Sequence, residues 1–317
     1  MVTRVWCQLH APVFRSLVSI PATSNTVFMA NSTPDRLTAA NQSEVHGHRG
    51  CRGLRPENTL PAFLHALALG VDVIELDVVI SSDNQVVVSH EPWLNPLICL
   101  DPDGHIIALA EAKQHNLHQM PYATIRRCDC GQLRHPNFPE QVSEPAHKPL
   151  LSEVLAALEA AVLTLGRAPV GYSIELKSSP EGDHIFHPAP PEFLALVLAE
   201  LTAAQVLSRT TLLCFDLRIL RLAHQLRSDV ATCLLVEDDL PWASSIRSLG
   251  FTPTTFGPDF TSVTAGSVHA LRTDFPGLRL VPWTVNDRAD MQRLLALGVD
   301  GLTTDYPNRM QSVLSAY

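Results

Sequence analysis

From residue 44 onward, short runs of β-branched and other apolar residues alternate with segments whose apolar positions recur at helical spacing. This alternation constrains the fold most, because strands joined through helices pair in parallel and a parallel sheet needs cover on both faces. Residues 71–78 (VDVIELDV) and 85–90 (QVVVSH) read as near-continuous buried strands, and VHGHRG as a short first strand. Residues 59–69 form a helix with Leu60, Phe63, Leu64 and Leu67 on one face, Asn58 or Thr59 as its cap and Gly70 as its stop. Downstream, helices are expected over 150–165, 216–226, 242–249, 265–273 and 287–297. Strands are expected over 170–176, 211–215, 231–236, 254–258, 278–285 and 301–304. That makes nine candidates for the eight staves of a (β/α)8 TIM barrel, with 254–258 the weakest. The expected fold is this α/β barrel with an insertion after the third strand. The hexapeptide LALGVD, at 67–72 and again at 295–300, each time leaves a helix and enters a strand. Repeated βα units and a shared way of stopping a helix both account for it.

Residues 1–43 carry no sustained pattern, and Pro12, Arg15 and Pro21 interrupt any export signal. This extension is expected to be poorly ordered, with Met29 as an alternative start and the barrel over 44–314. No stretch reaches the ~18 apolar residues of a membrane span. Residues 92–148 break the rhythm: they are rich in Pro, His and polar residues and too long for a bare loop. Since this insertion leaves the sheet at the rim where barrels keep their chemistry, a lid over the pocket is the expectation it raises. The chain has 317 residues and net charge −9, from 32 acids against 23 bases. Such a balance argues against general nucleic-acid binding and requires local cations for any phosphate ligand. The seven cysteines fit no zinc spacing and read as reduced thiols, which leans toward the cytoplasm. Oligomeric state is not legible.

Polar residues punctuate the apolar pattern where strands end. Glu75 and Asp77 lie two apart on one strand, so both side chains point to the same face. Two carboxylates aimed into one site repel and are costly to desolvate, and a cation is the natural remedy. Glu175, at the corresponding end of another strand, supplies a third oxygen; three hard donors suit Mg2+ or Ca2+. An ion-paired network with Arg49 and Lys177 and no metal is the alternative. His48 and His90, on different strands, are suited to proton transfer near neutral pH. The first is read as general base and the second as general acid, with the reverse open.

Taken in order, His48-Arg49-Gly50, five residues, then Pro56-Glu57-Asn58-Thr59 resembles the glycerophosphodiester phosphodiesterase family, a phospholipase C-like TIM barrel group. The similarity continues through Glu75-Leu76-Asp77, Ser89-His90, Ile174-Glu175-Leu176-Lys177, Pro282-Trp283-Thr284-Val285-Asn286 and the stretch from Asp300 to Pro307. The resemblance implies a divalent cation and hydrolysis of glycerophosphodiesters, small-molecule substrates, to sn-glycerol 3-phosphate and an alcohol. In that frame Arg49 and Lys177 hold phosphate. Glu57 has a site role, orienting Arg49 or His48 or binding metal, and Trp283 forms an apolar wall. One departure is visible: Glu91 follows His90 where the family usually has Asp. A metal-independent phospholipase C-like enzyme and a non-catalytic phosphate binder remain as alternatives.

Overall fold

The computed structural model describes residues 43–237 and 241–315; apart from Ser43, the expected N-terminal extension lies outside them. Its strands are β1 (Glu44–Gly47), β2 (Val73–Ile80), β3 (Val86–Val88), β4 (Gly171–Leu176), β5 (Thr210–Cys214), β6 (Ala231–Val236), β7 (Thr255–Pro258), β8 (Arg279–Leu280) and β9 (Gly301–Thr304). All but β3 are parallel staves in the order β1-β2-β4-β5-β6-β7-β8, and β9 pairs with β1 on its other edge. The wall closes between β8 and β9 through hydrogen bonds from Asp300 N to Leu280 O (2.9 Å), Thr303 N to Pro282 O (3.1 Å) and Val285 N to Thr303 O (2.9 Å). The expected TIM-barrel class is what the chain adopts.

The weakest strand candidate is borne out, and two others need correction. Residues 255–258 are a true stave, paired with β6 and β8. The surplus strand is β3, which runs antiparallel to β2 with Val78 opposite Val88. Its Val-Val-Val run is as apolar as any stave, but the connection from β2 is too short to hold a crossover, so the chain can only double back. The insertion therefore follows the third strand of the chain yet lies between the second and third staves. The strand expected over 278–285 contracts to two residues, with Pro282, which has no N–H for the ladder, just beyond it.

The helices are α1 (Leu60–Ala68), α2 (Tyr122–Ile125), α3 (Leu151–Leu165), α4 (Pro190–Ala203), α5 (Leu217–Leu226), α6 (Trp242–Leu249), α7 (Ala265–Asp274), α8 (Arg288–Ala296) and α9 (Pro307–Leu314). The sequence pattern did not reveal α4 and α9, because prolines open both. In a first turn proline is compatible, since the N–H it lacks would be unpaired anyway. The repeated LALGVD does the same job twice. Gly70 (φ 85°) and Gly298 (φ 75°) end α1 and α8 in the left-handed region. Asp72 Oδ2 then accepts from Val45 N (2.8 Å), and Asp300 Oδ2 from Leu280 N (2.7 Å), each latching its incoming strand to the neighbouring stave.

The insertion has a small core of its own. Leu94, Ile98, Leu117, Tyr122 and Ile125 pack on Val79 and Val87 of the β2–β3 hairpin. Cys99 and Cys130 are joined by a disulfide, correcting the expectation that all cysteines are reduced. The pair is 31 residues apart, and it is the folding of the insertion, with Leu100 N bonded to Asp129 O (2.7 Å), that brings the two together. Cys51, Cys128, Cys214 and Cys233 are free and buried.

Candidate active site

Immediately after β1 the chain makes a turn that few sequences tolerate. Arg49 (φ 49°) and Gly50 (φ 84°) are both left-handed, and a Cβ on Gly50 would lie 2.7 Å from the Ala62 carbonyl carbon. Holding Arg49 there costs about 1–2 kcal/mol, offset by what the turn presents: Arg49 N donates to Glu75 Oε2 (2.7 Å) and Asn58 N to Arg49 O (3.1 Å). Asn58, also left-handed at φ 55°, is more than a helix cap. Its Nδ2 donates to Asp77 Oδ2 (2.8 Å), while Thr59 caps α1.

Period-two alternation turns Glu75 and Asp77 to one side of β2, and Asp77 lies in register with Glu175 of β4. Carboxylate oxygens of Glu75, Asp77 and Glu175 fall within 4.8 Å of one another, and all three residues are buried. Burial and the neighbouring Asp77 raise Glu75 well above the ordinary carboxylate range. Burial pushes Asp77 the same way, but the charges of His90, Arg49 and Lys177 overturn it and hold Asp77 low. Burial also raises Glu175, against the pull of Lys177, whose Nζ donates to Glu175 Oε1 (2.6 Å). Among the described residues no side-chain cation ion-pairs with Glu75. Three oxygen donors converge with one lacking a counter-charge, and this donor set fits a hard divalent cation.

Around the trio stand two cations. Lys177 Nζ is also 3.8 Å from Asp77 Oδ1. Arg49 Nη1 donates to Glu57 Oε1 (2.7 Å), and its Nε lies 3.4 Å from Asp77 Oδ2 without a hydrogen-bond acceptor. Burial would raise Glu57, but Arg49 and Arg52 keep it low and ionised. Glu57 thus stands behind Arg49, outside the trio.

Each histidine is steered by its own carboxylate. His48 Nδ1 donates to Asp305 Oδ1 (2.7 Å), leaving Nε2 as the free ring nitrogen. Asp305 is fully buried and is held far below its usual range; burial opposes this, and His48 and Arg52 prevail. It also accepts from Arg52 Nε (2.8 Å) and Nη2 (3.1 Å) and from Asn286 Nδ2 (2.7 Å). Burial lowers His48 to about 4; Asp305 pulls upward and the Arg52 charge presses down. His90 reaches the site because β3 doubles back, setting Ser89 N on Asp77 O (3.0 Å). Its Nδ1 donates to Glu91 Oε1 (2.9 Å). Burial would raise Glu91, yet the His90 bond and the charges of His90 and Lys148 bring it down to about 2.

His48, Arg49, Glu75, His90, Glu175, Lys177 and Trp283 all line one cavity of about 730 Å³ running along the barrel axis. Glu57 and Asp77 sit behind its wall, bonded to lining residues. Trp283 Nε1 donates to Gly257 O (2.8 Å), and its ring meets Phe215 edge-on at 5.6 Å. Sequence reasoning missed Asp305, Arg52, Asn286 and Phe215 as site residues. The one signal for Asp305 was its place at the end of a strand, in a motif already noted, five residues past the second LALGVD.

The sequence model of the Glycerophosphoryl diester phosphodiesterase family matches residues 48–309. The chain belongs to that family. A glycerophosphodiester phosphodiesterase of Bacillus altitudinis is 30% identical over 271 residues, covering 84% of this chain and 96% of its own. A Silicibacter pomeroyi crystal structure bearing the same family's name has TM-score 0.76 and 33% identity, over 86% of this chain and 93% of that one. An Oleispira antarctica phosphodiesterase, solved with the product sn-glycerol-3-phosphate, has TM-score 0.68 and 21% identity over 86% of this chain and 97% of its own. Glu91 stands where the resemblance to the family leads one to expect Asp. It hydrogen-bonds His90 and stands outside the carboxylate trio.

Proposed function

We propose that the protein hydrolyses glycerophosphodiesters to sn-glycerol 3-phosphate and an alcohol, with Mg2+ or Ca2+ held by Glu75, Asp77 and Glu175. The observation that carries this is one cavity in which Glu75 and Glu175 of a buried carboxylate trio, with Asp77 just behind the wall, share the lining with two imidazoles, each oriented by its own acid. When bound, the cation would polarise the phosphoryl oxygens and offset charge building on them. Arg49 and Lys177 grip the same oxygens, the first through its planar fork and the second as a movable charge, with Glu57 holding the guanidinium in place. His48, kept neutral by burial, takes a proton through Nε2 from the attacking oxygen, that of water or of the adjacent glycerol hydroxyl. His90 donates to the leaving alkoxide. Trp283 lies along the glycerol carbons and keeps water from that wall.

The carboxylate trio speaks against the metal-independent alternative, which has no use for it, and the two acid-oriented imidazoles speak against a mere phosphate binder. Residues 92–148 contribute nothing to the wall of this cavity. They reach the site from behind, through buried Lys148 near Glu91 and Glu57 and through Gln141, whose Nε2 donates to Arg52 O (2.7 Å). We read the insertion as a support for Glu91 and Arg52. The paired Cys99 and Cys130 remove the ground for a cytoplasmic assignment. Among the described residues, no helix is long and apolar enough to cross a membrane.

The test is sn-glycerol 3-phosphate release from glycerophosphodiesters by the wild type, His48→Ala and His90→Ala. Turnover by the wild type and a loss of at least ~10²-fold in each variant is expected. Undiminished release by either variant contradicts the assigned chemistry. Diester binding without turnover in Mg2+ and in Ca2+ would favour the phosphate binder.

A further inference from the structure

The cavity is chemically two-sided. On the β1–β4 side it is lined by Arg49, Lys177, His48, His90 and two of the acids that would hold a cation, Glu75 and Glu175. On the opposite side, the described lining residues of β5–β8 and of the rim beyond them are apolar or uncharged except for Arg279, which is ion-paired with Glu44, and Glu237. Leu213, Cys233 and Leu235 form an apolar cluster there with Trp283 packed on it. Glu237 lies two residues beyond Leu235, so period two turns it to the same inner face one layer nearer the mouth. Phe215 also lines the mouth, 39% exposed, its ring perpendicular to that of Trp283. Neither an exposed phenylalanine nor a lone rim carboxylate is needed by the barrel, and no described basic side chain ion-pairs with Glu237.

We propose that this side selects the alcohol arm of the diester and that the arm it fits is a cationic amino alcohol. The inference rests on the phosphodiesterase reading above. The phosphate can bind only where the positive groups are, which orients the molecule across the cavity. Trp283 lies deeper, along the glycerol common to all such substrates, and the variable arm passes Phe215 and Glu237 on its way to solvent. A cation over an aromatic face is attracted by the ring quadrupole. A carboxylate at the rim adds a screened charge pair and repels an anionic arm. Together these predict a preference of about tenfold for a cationic over a neutral arm.

The experiment measures kcat/KM at fixed ionic strength for the choline, ethanolamine and glycerol diesters of sn-glycerol 3-phosphate, with wild type, Glu237→Gln and Phe215→Leu. The expected result is a choline-to-glycerol ratio of about ten in the wild type, falling toward one in Glu237→Gln and partway in Phe215→Leu. Added salt should erode the wild-type ratio. A wild-type ratio near one, or a loss in Glu237→Gln equal across all three diesters, overturns the proposal; the second outcome would put Glu237 on the common glycerol. Failure of the wild type to cleave any diester sinks the parent reading instead, and the two failures are distinct.

Discussion

Replacing Asp305 by Asn isolates what orients the proposed base, since it keeps the shape and removes only an acceptor. Asp305 Oδ1 takes His48 Nδ1 and Arg52 Nε, and Oδ2 takes Arg52 Nη2 and Asn286 Nδ2. Asparagine has one acceptor oxygen, so its NH2 must face donors whichever way it turns. Facing His48, it forces the other tautomer: Nδ1 accepts, Nε2 carries the proton, and no base remains. Facing Arg52 Nη2 and Asn286, it sets donors against donors, at a cost of about 1–3 kcal/mol; in either orientation the partly buried Arg52 loses its nearer counter-charge and keeps only Glu57 Oε2, 3.8 Å from its Nη1. With one orientation inactive and the other costly, kcat should fall about 10²- to 10⁴-fold, equivalent to roughly 3–5 kcal/mol of barrier. The assay is sn-glycerol 3-phosphate release at saturating substrate and metal, with thermal unfolding of the same samples. A kcat within threefold of wild type, with an unshifted pH profile, would refute the idea that Asp305 sets the tautomer of His48.

Other consequences follow from the same geometry. His48 sits at about 4 when folded against an ordinary 6.5, so the acid limb of kcat/KM should lie well below pH 6.5; a limb at 6.5 or higher contradicts a buried neutral base. The unfolded chain binds the His48 proton from pH 6.5 downward while the folded chain refuses it until about 4, so stability falls across that window, by up to about 3 kcal/mol. Denaturant titrations of wild type and His48→Gln from pH 7 to 4 should converge on acidification, and parallel curves would count against it. Gly50→Ala adds a methyl 2.7 Å from backbone in the left-handed region, and should cost about 2–4 kcal/mol, or roughly 5–15 °C in Tm. A shift below 1 °C would show that the turn has room to relax.

The barrel was legible because its staves are apolar on both faces and its helices have one clear stripe. Recognition failed where local composition and long-range geometry part company. The Val86–Val88 run carries a stave's composition, and only the length of its connection gives its direction. Prolines hid α4 and α9 by occupying the first turn, the part of a helix that admits them. At the site, alternation along β2 and β4 was enough to gather Glu75, Asp77 and Glu175. Asp305 joins His48 from 257 residues away, and Arg52 looked like one more charge in a polar loop. The partner of Cys99 was equally out of reach, because spacing in the chain says nothing of how an insertion folds back.

The central claim is that Glu75, Asp77 and Glu175 hold the cation on which turnover depends. Its most direct test is calorimetric titration of metal-stripped protein with Mg2+ and with Ca2+, with diester hydrolysis measured on the same samples. One cation per chain, hydrolysis rising in proportion to occupancy, and loss of both in Glu175→Gln are predicted. Full hydrolysis by the stripped protein, or metal binding unaffected by Glu175→Gln, would contradict the account.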